Sequence, residues 1–275
     1  MAIVNTTPDS FSGDGLLDAH EAVRRGLAAV ADGAAIVDVG GESTRPGAEP
    51  VKAEEEIRRV LPVIERLVDS CGALVSIDTL KASVAARALG AGARIVNDVS
   101  GLQDLDLASV AALHDAWLVV THNRWTAPPS HDQLGGYYAR SGERDVVEEV
   151  VEALLAMAAR ATAAGVSPER VIVDPGLGFG KAPRESLELL RRVGELRART
   201  APYAMLVGAS RKSFVGRVLG LPVEDRLEGS LAAAVAAALA GVEIVRVHDV
   251  RASVRGVQMA SAIGLGRDAP LVEPA

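Results

Sequence analysis

Two carboxylates and one carboxamide, Asp78, Asn97 and Asp174, each close a short apolar run of the chain. Groups of this kind accept and donate hydrogen bonds in one plane, which suits a flat heterocycle with an amino-amide edge. The competing readings are a structural network or a metal site; no His or Cys stands close to these three, which disfavours metal. A second group is cationic. Ser210-Arg211-Lys212-Ser213 follows one apolar run, while Arg246 and His248 end another. Two residues apart on an extended strand, Arg246 and His248 share a side and can grip one anion. The N-terminal amides of the seventh helical pattern, which follows this motif, would add positive potential there. Asn5, Asp38, Asp98 and His122 close further apolar runs.

For such groups to meet, the runs must be neighbouring strands. The expected strands are Ala2–Asn5, Ala35–Val39, Leu74–Asp78, Arg94–Asn97, Trp117–His122, Val171–Asp174, Tyr203–Val207 and Glu243–Val247. They are short and rich in Val and Ile, as parallel strands buried on both faces are. Helical patterns alternate with them at about Ala19–Ala31, Ala53–Ser70, Lys81–Gly90, Asp104–His114, Asp145–Ala164, Arg184–Arg199, Arg226–Ala240 and Val250–Ile263. Eight such units predict an α/β fold, a (β/α)8 TIM barrel forming a single domain over residues 1–275, with its active rim at the C-terminal strand ends. An open doubly wound sheet commonly carries a Gly-rich turn after its first strand; here that turn is Thr6-Thr7-Pro8-Asp9. Gly33, Gly92, Gly165 and Gly241 each end a helical pattern and precede a strand, which marks them as helix C-caps. Two polar, small-residue-rich stretches, Asn5–Gly15 and Gly40–Gly47, lie where lids over a barrel mouth form.

The formal net charge is −7 and hydrophobic residues make up 49% of the chain. That balance argues against a general nucleic-acid binder. No apolar run reaches the roughly 18–20 charge-free residues of a membrane span. The single cysteine, Cys71, excludes an internal disulfide and reads as structural. The start of the chain lacks a charged, signal-like segment, so a cytoplasmic enzyme is expected.

Several blocks, in order, resemble dihydropteroate synthase. They are Ile3-Val4-Asn5-Thr6-Thr7-Pro8-Asp9-Ser10-Phe11-Ser12, Asp38-Val39-Gly40-Gly41-Glu42-Ser43-Thr44-Arg45-Pro46-Gly47, Ser76-Ile77-Asp78-Thr79 and Asn97-Asp98-Val99-Ser100-Gly101. Asp174-Pro175-Gly176-Leu177-Gly178-Phe179-Gly180-Lys181, Gly208-Ala209-Ser210-Arg211-Lys212-Ser213 and Arg246-Val247-His248-Asp249 complete the set. The resemblance implies a transferase of folate (tetrahydrofolate) biosynthesis, a sulfonamide target. It condenses 6-hydroxymethyl-7,8-dihydropterin pyrophosphate with para-aminobenzoate, giving 7,8-dihydropteroate and pyrophosphate. It implies Mg2+-assisted loss of pyrophosphate and a pterin carbocation. By the same resemblance, Asp78, Asn97, Asp174 and Lys212 bind the pterin, and Asn5 is the Mg2+ ligand. Thr44, Arg246 and His248 hold the phosphates. Arg45, Pro46 and Phe179 shape the arylamine pocket with Ser213 at its carboxylate, and Asp9 belongs to the first loop. A homodimer is implied as well. The chain departs from the family after the fifth strand, where Thr121-His122-Asn123-Arg124-Trp125 replaces a Met-His-Met-Arg pattern. A pterin-dependent methyltransferase module shares the Asp–Asn–Asp grip but has no need of the Ser-Arg-Lys and Arg-x-His cations. A non-catalytic pterin-binding paralogue is the other alternative.

Overall fold

The computed structural model describes residues 1–6, 15–43, 49–70, 72–124 and 144–266. Eight strands form one parallel sheet in chain order: β1 (Ala2–Asn5), β2 (Ile36–Gly40), β3 (Leu74–Asp78), β4 (Ile95–Asp98), β5 (Trp117–Thr121), β6 (Val171–Asp174), β7 (Ala204–Val207) and β8 (Ile244–Val245). The sheet curls. Beyond β8, Val247 donates its N–H to Met1 O at 2.9 Å and accepts from Ile3 N at 3.1 Å, alongside β1.

Side-chain alternation along these strands builds the site. Registers pair Asn5 with Gly40, Gly40 with Asp78, Asp78 with Asn97, and Thr121 with Asp174. Two residues earlier on the same inner face stand Ile95, Val119 and Ile172, and with Leu206 they form a compact inner core. The inner face is therefore mostly apolar toward the strand starts and polar at the C-terminal ends. The outer faces, including Val37, Val39, Ile77, Val96, Leu118, Val120 and Val173, pack under the helices in a far larger cluster. Each such buried aliphatic side chain contributes about 1.5–3 kcal/mol.

The helices are α1 (Gly15–Ala31), α2 (Ala53–Ser70), α3 (Ala82–Gly90), α4 (Asp106–Leu113), α5 (Val146–Ala163), α6 (Pro183–Arg191), α7 (Val193–Arg199), α8 (Ser213–Leu219), α9 (Leu227–Leu239) and α10 (Val250–Leu265). Gly33, Gly92, Gly165 and Gly241 take positive φ, +98°, +105°, +104° and +86°, at the helix-to-strand turns where C-caps were expected.

Three expectations need correction. The helix expected over Arg184–Arg199 is two, because Arg192 leaves helical geometry at φ −104°, ψ 23°. An additional short helix, α8, starts within the Ser-Arg-Lys-Ser motif and stops at left-handed Gly220. The strand expected over Glu243–Val247 is only Ile244–Val245, so Arg246 and His248 lie beyond it.

Candidate active site

A buried ion network crosses the sheet between β2, β3, β4 and the segment after β8. Asp38, wholly buried, accepts two bonds at Oδ2: from Asn97 Nδ2 at 3.0 Å and from Arg246 Nε at 2.7 Å. Arg246 Nη2 reaches Asp78 Oδ2 at 2.6 Å. One guanidinium thus serves two carboxylates. Burial pushes the Asp78 carboxyl up to about 7, against the opposing pull of Arg246. Burial works against the charge of Arg246, yet Asp38 and Asp78 hold its guanidinium above the usual range.

Across the mouth, Asp174 is buried at the end of β6 and accepts the Gly176 N–H at 2.7 Å. Burial raises its carboxyl, and the ammonium of Lys212 opposes the shift. Lys212 Nζ donates to Leu177 O and lies 4.4 Å from the Phe179 ring centroid. Burial draws this ammonium down to about 8, with Asp174 pulling it back. The chain turns between Asp174 and Phe179 at Gly176, where φ is +65°. A Cβ there would lie 2.0 Å from His122 O, so no other residue fits without displacing the backbone after β5.

The cationic motif after β7 divides its labour. Arg211, in left-handed geometry at φ +57°, turns to Asp249 with bonds of 3.0 and 2.6 Å. Lys212 faces Asp174, and Ser213 opens α8. His248 donates its backbone N–H to Ser210 Oγ at 3.2 Å, and its Nδ1 lies 3.0 Å from the same oxygen. Arg246 thus contacts Asp38 and Asp78, while His248 contacts Ser210.

Strand parity also sorts the remaining polar ends. Asp98 points away from Asn97 and caps the following turn, accepting from Ser100 N at 2.8 Å and Leu102 N at 2.6 Å. His122 follows inward-facing Thr121 and is buried with Nε2 3.7 Å from Glu149 Oε1. Burial drives its imidazole down to about 3, which keeps it neutral.

Asn5 ends β1 beside this network; a Cβ on Gly40 would lie 3.5 Å from both Asn5 Oδ1 and Asp78 Cβ. Among the described residues no group of three or more His, Cys, Asp or Glu side chains is arranged to hold a metal ion. A neutral amide oxygen at the rim suits a Mg2+ that keeps most of its waters and takes further ligands from a bound phosphate. Asp9, Thr44, Arg45 and Pro46 lie outside the described residues.

Sequence reasoning noted Asp38 as a polar strand end but missed its place as the anchor of Asn97 and Arg246. It also missed a bridge from Lys81 Nζ to Glu42 and to buried Glu56, which joins the segment after β2 to that after β3. Glu42 Oε1 in addition accepts the Val51 N–H at 3.0 Å, just before α2. The position of Lys81, three residues after Asp78, was the available signal.

The family described as pterin binding enzyme matches residues 1–248. A dihydropteroate synthase of Bacillus subtilis is 41% identical over 265 residues, covering 96% of this chain and 87% of that protein. A probable bifunctional folylpolyglutamate synthase/dihydropteroate synthase of Halobacterium salinarum is 48% identical over 273 residues; the match covers 98% of this chain but 32% of that longer protein. The crystal structure of a Clostridium difficile dihydropteroate synthase, obtained in the presence of pteroic acid, is 40% identical with a TM-score of 0.86, covering 96% of this chain and 95% of that one.

Proposed function

The chain belongs to the pterin-binding enzyme family, and from that membership we infer that it is a dihydropteroate synthase of folate biosynthesis, a transferase joining a dihydropterin methylene to an arylamine. Its substrates are 6-hydroxymethyl-7,8-dihydropterin pyrophosphate and para-aminobenzoate, and its products are 7,8-dihydropteroate and pyrophosphate. The single observation carrying the residue-level reading is one rim that holds Asp78, Asn97 and Asp174 together with Lys212 and Arg246.

In this reading Asp78, Asn97 and Asp174 grip the polar edge of the pterin, and Lys212 donates to it. Loss of pyrophosphate leaves an electron-poor pterin methylene, a carbocation delocalised into the ring. Asp78 and Asp174 stabilise that charge through the ring N–H groups they face. Arg246 and His248, with Thr44, receive the anionic oxygens of the leaving group. Phe179, Arg45 and Pro46 bound the arylamine pocket, Ser213 meets its carboxylate, and Asp9 contributes from the first loop. The arylamine nitrogen is already nucleophilic, so positioning rather than a strong base carries the second step. Mg2+, held by Asn5 and the substrate phosphates, would neutralise charge on the pyrophosphate.

The curl of the sheet and the Val247 bonds to Met1 and Ile3 support a closed single-domain (β/α)8 barrel over residues 1–275. Exposed Leu219 on α8, Leu239 on α9 and Met259 and Ile263 on α10 support a homodimer built on these late helices. Among the described residues no helix is long and apolar enough to cross a membrane, and we place the enzyme in the cytoplasm without nucleic-acid partners. The direct test is pyrophosphate release on mixing both substrates, with and without Mg2+. Release that needs both substrates supports the synthase. Pterin binding without release sinks it in favour of a methyl-transfer module or a non-catalytic paralogue.

A further inference from the structure

Lys181 is a lysine with no exposed surface, and the chemistry above gives it no task. Its Nζ donates to His122 O at 2.9 Å, Gly176 O at 2.9 Å and Phe179 O at 3.3 Å. An ammonium has three N–H groups, and here each has a carbonyl. The acceptors come from two different strand ends, one after β5 and two after β6. The same two segments are linked by His122 N to Asp174 O at 2.9 Å. Burial pulls the amine down to about 7, with Arg124 adding to that shift and Asp174 opposing it. Three carbonyl dipoles aimed at one nitrogen favour the charged form.

The segment so fastened is the one that seats Lys212, through Leu177 O and the Phe179 ring. Asp78 and Asn97 sit on β3 and β4, to which none of these three Lys181 bonds runs. Resting on the synthase reading above, we propose that Lys181 is a positioning residue that fixes the arylamine side of the site by holding the Gly176–Phe179 turn against His122. A hydrocarbon of similar length in its place leaves three buried carbonyls without donors, and the turn relaxes. Phe179 then loses its fixed place and Lys212 part of its seat, while Asp78 and Asn97 on β3 and β4 keep theirs.

The test compares wild-type enzyme with Lys181→Met and Lys181→Gln, measuring pyrophosphate release while each substrate is varied in turn. The expected result is a rise in KM for para-aminobenzoate of about tenfold or more, with a clearly smaller rise in KM for the pterin pyrophosphate, because Lys212 shifts with the turn while Asp78 and Asn97 keep their places. Lys181→Gln, which retains two donors, recovers part of the loss. In a cycle with Phe179→Ala the two effects on KM for para-aminobenzoate are strongly non-additive, as for residues acting through one unit. Unchanged KM values with lowered kcat, an equal rise in both KM values, or additivity with Phe179→Ala would overturn the proposal. So would failure of both variants to yield soluble protein, since the requirement would then be for folding. A wild-type chain that releases no pyrophosphate overturns the synthase reading and this proposal with it. An active wild type with unmoved KM values in the variants overturns this proposal alone.

Discussion

Arg246 Nε lies 2.7 Å from Asp38 Oδ2, joining residues 208 positions apart in the chain. Asp38 is fully buried, and its second oxygen, Oδ1, has no hydrogen-bond partner within the protein. A guanidinium carries five N–H donors in a rigid fork. Two of them are spent on Asp38 and Asp78. The other three are what a phosphate oxygen would meet, on a cation whose orientation two carboxylates already fix.

Arg246→Lys therefore removes more than a hydrogen bond. A lysine ammonium cannot span Asp38 and Asp78 while presenting donors in the same plane. We expect kcat/KM to fall by about 100-fold, roughly 2.7 kcal/mol of transition-state stabilisation. Steady-state pyrophosphate release checks it, and a fall below about threefold would remove Arg246 from the anion-binding role.

Asp174→Asn keeps the shape of the β6 end and can still accept the Gly176 N–H. It removes the negative charge that faces Lys212 and, in the proposed mechanism, the developing cation. Turnover should drop by about 10²–10³-fold, in the range seen for loss of one preorganised electrostatic group. Circular dichroism and the melting temperature should remain near wild type. Near-normal turnover would sink the assignment of Asp174.

The raised carboxyl of Asp78 has two consequences with opposite directions in pH. Catalysis by the ionised form strengthens as pH rises through about 7, giving an acid limb in kcat/KM. Folding stability runs the other way. The folded state keeps the Asp78 proton up to about 7, whereas the unfolded chain releases it near 3.8, so the native state binds more protons between these values. This group's stabilising contribution is present below about 4 and is lost as pH rises to about 7. Urea titrations at several pH values should show that decline in wild type minus Asp78→Asn. A difference independent of pH would mean that Asp78 is ionised throughout.

Gly176→Ala is the sharpest backbone test. The added methyl meets His122 O at 2.0 Å in a left-handed conformation, with the Asp174 carboxylate two residues away. Strain of this kind costs about 1–3 kcal/mol before any clash, so a lower melting temperature and at least tenfold lower kcat/KM are expected. A crystal structure or activity assay showing an unmoved His122 backbone and full activity would contradict this account.

Much of the architecture is legible because parallel strands buried on both faces read as uninterrupted apolar runs. β1, β3, β6 and α2 begin and end at the residues the pattern indicates. Failures cluster where length is the only cue. α8 has seven residues and hides in a motif that looks like a loop, while β8 is two residues long and ends before Arg246. Within the site, strand parity separates neighbours that composition cannot. Asn97 shares the inner face with Ile95, whereas Asp98 beside it turns outward to cap a loop. Lys181 was illegible for another reason. A lysine in a glycine-rich turn reads as solvated, and only the fold brings three carbonyls to its nitrogen. The same holds for Asp38 and Arg246, whose partnership depends on curling the sheet.

The bonds from Val247 to Met1 and Ile3 also set a schedule for synthesis. β1 leaves the ribosome long before Val247, the residue that completes its outer edge. At about 5–20 residues per second, that edge waits roughly 12–50 s for its neighbour. Throughout that interval the nascent chain offers an unpaired strand edge, the type of surface on which chains aggregate. A chaperone that shields the first forty residues should raise the yield of this protein more than one acting after release.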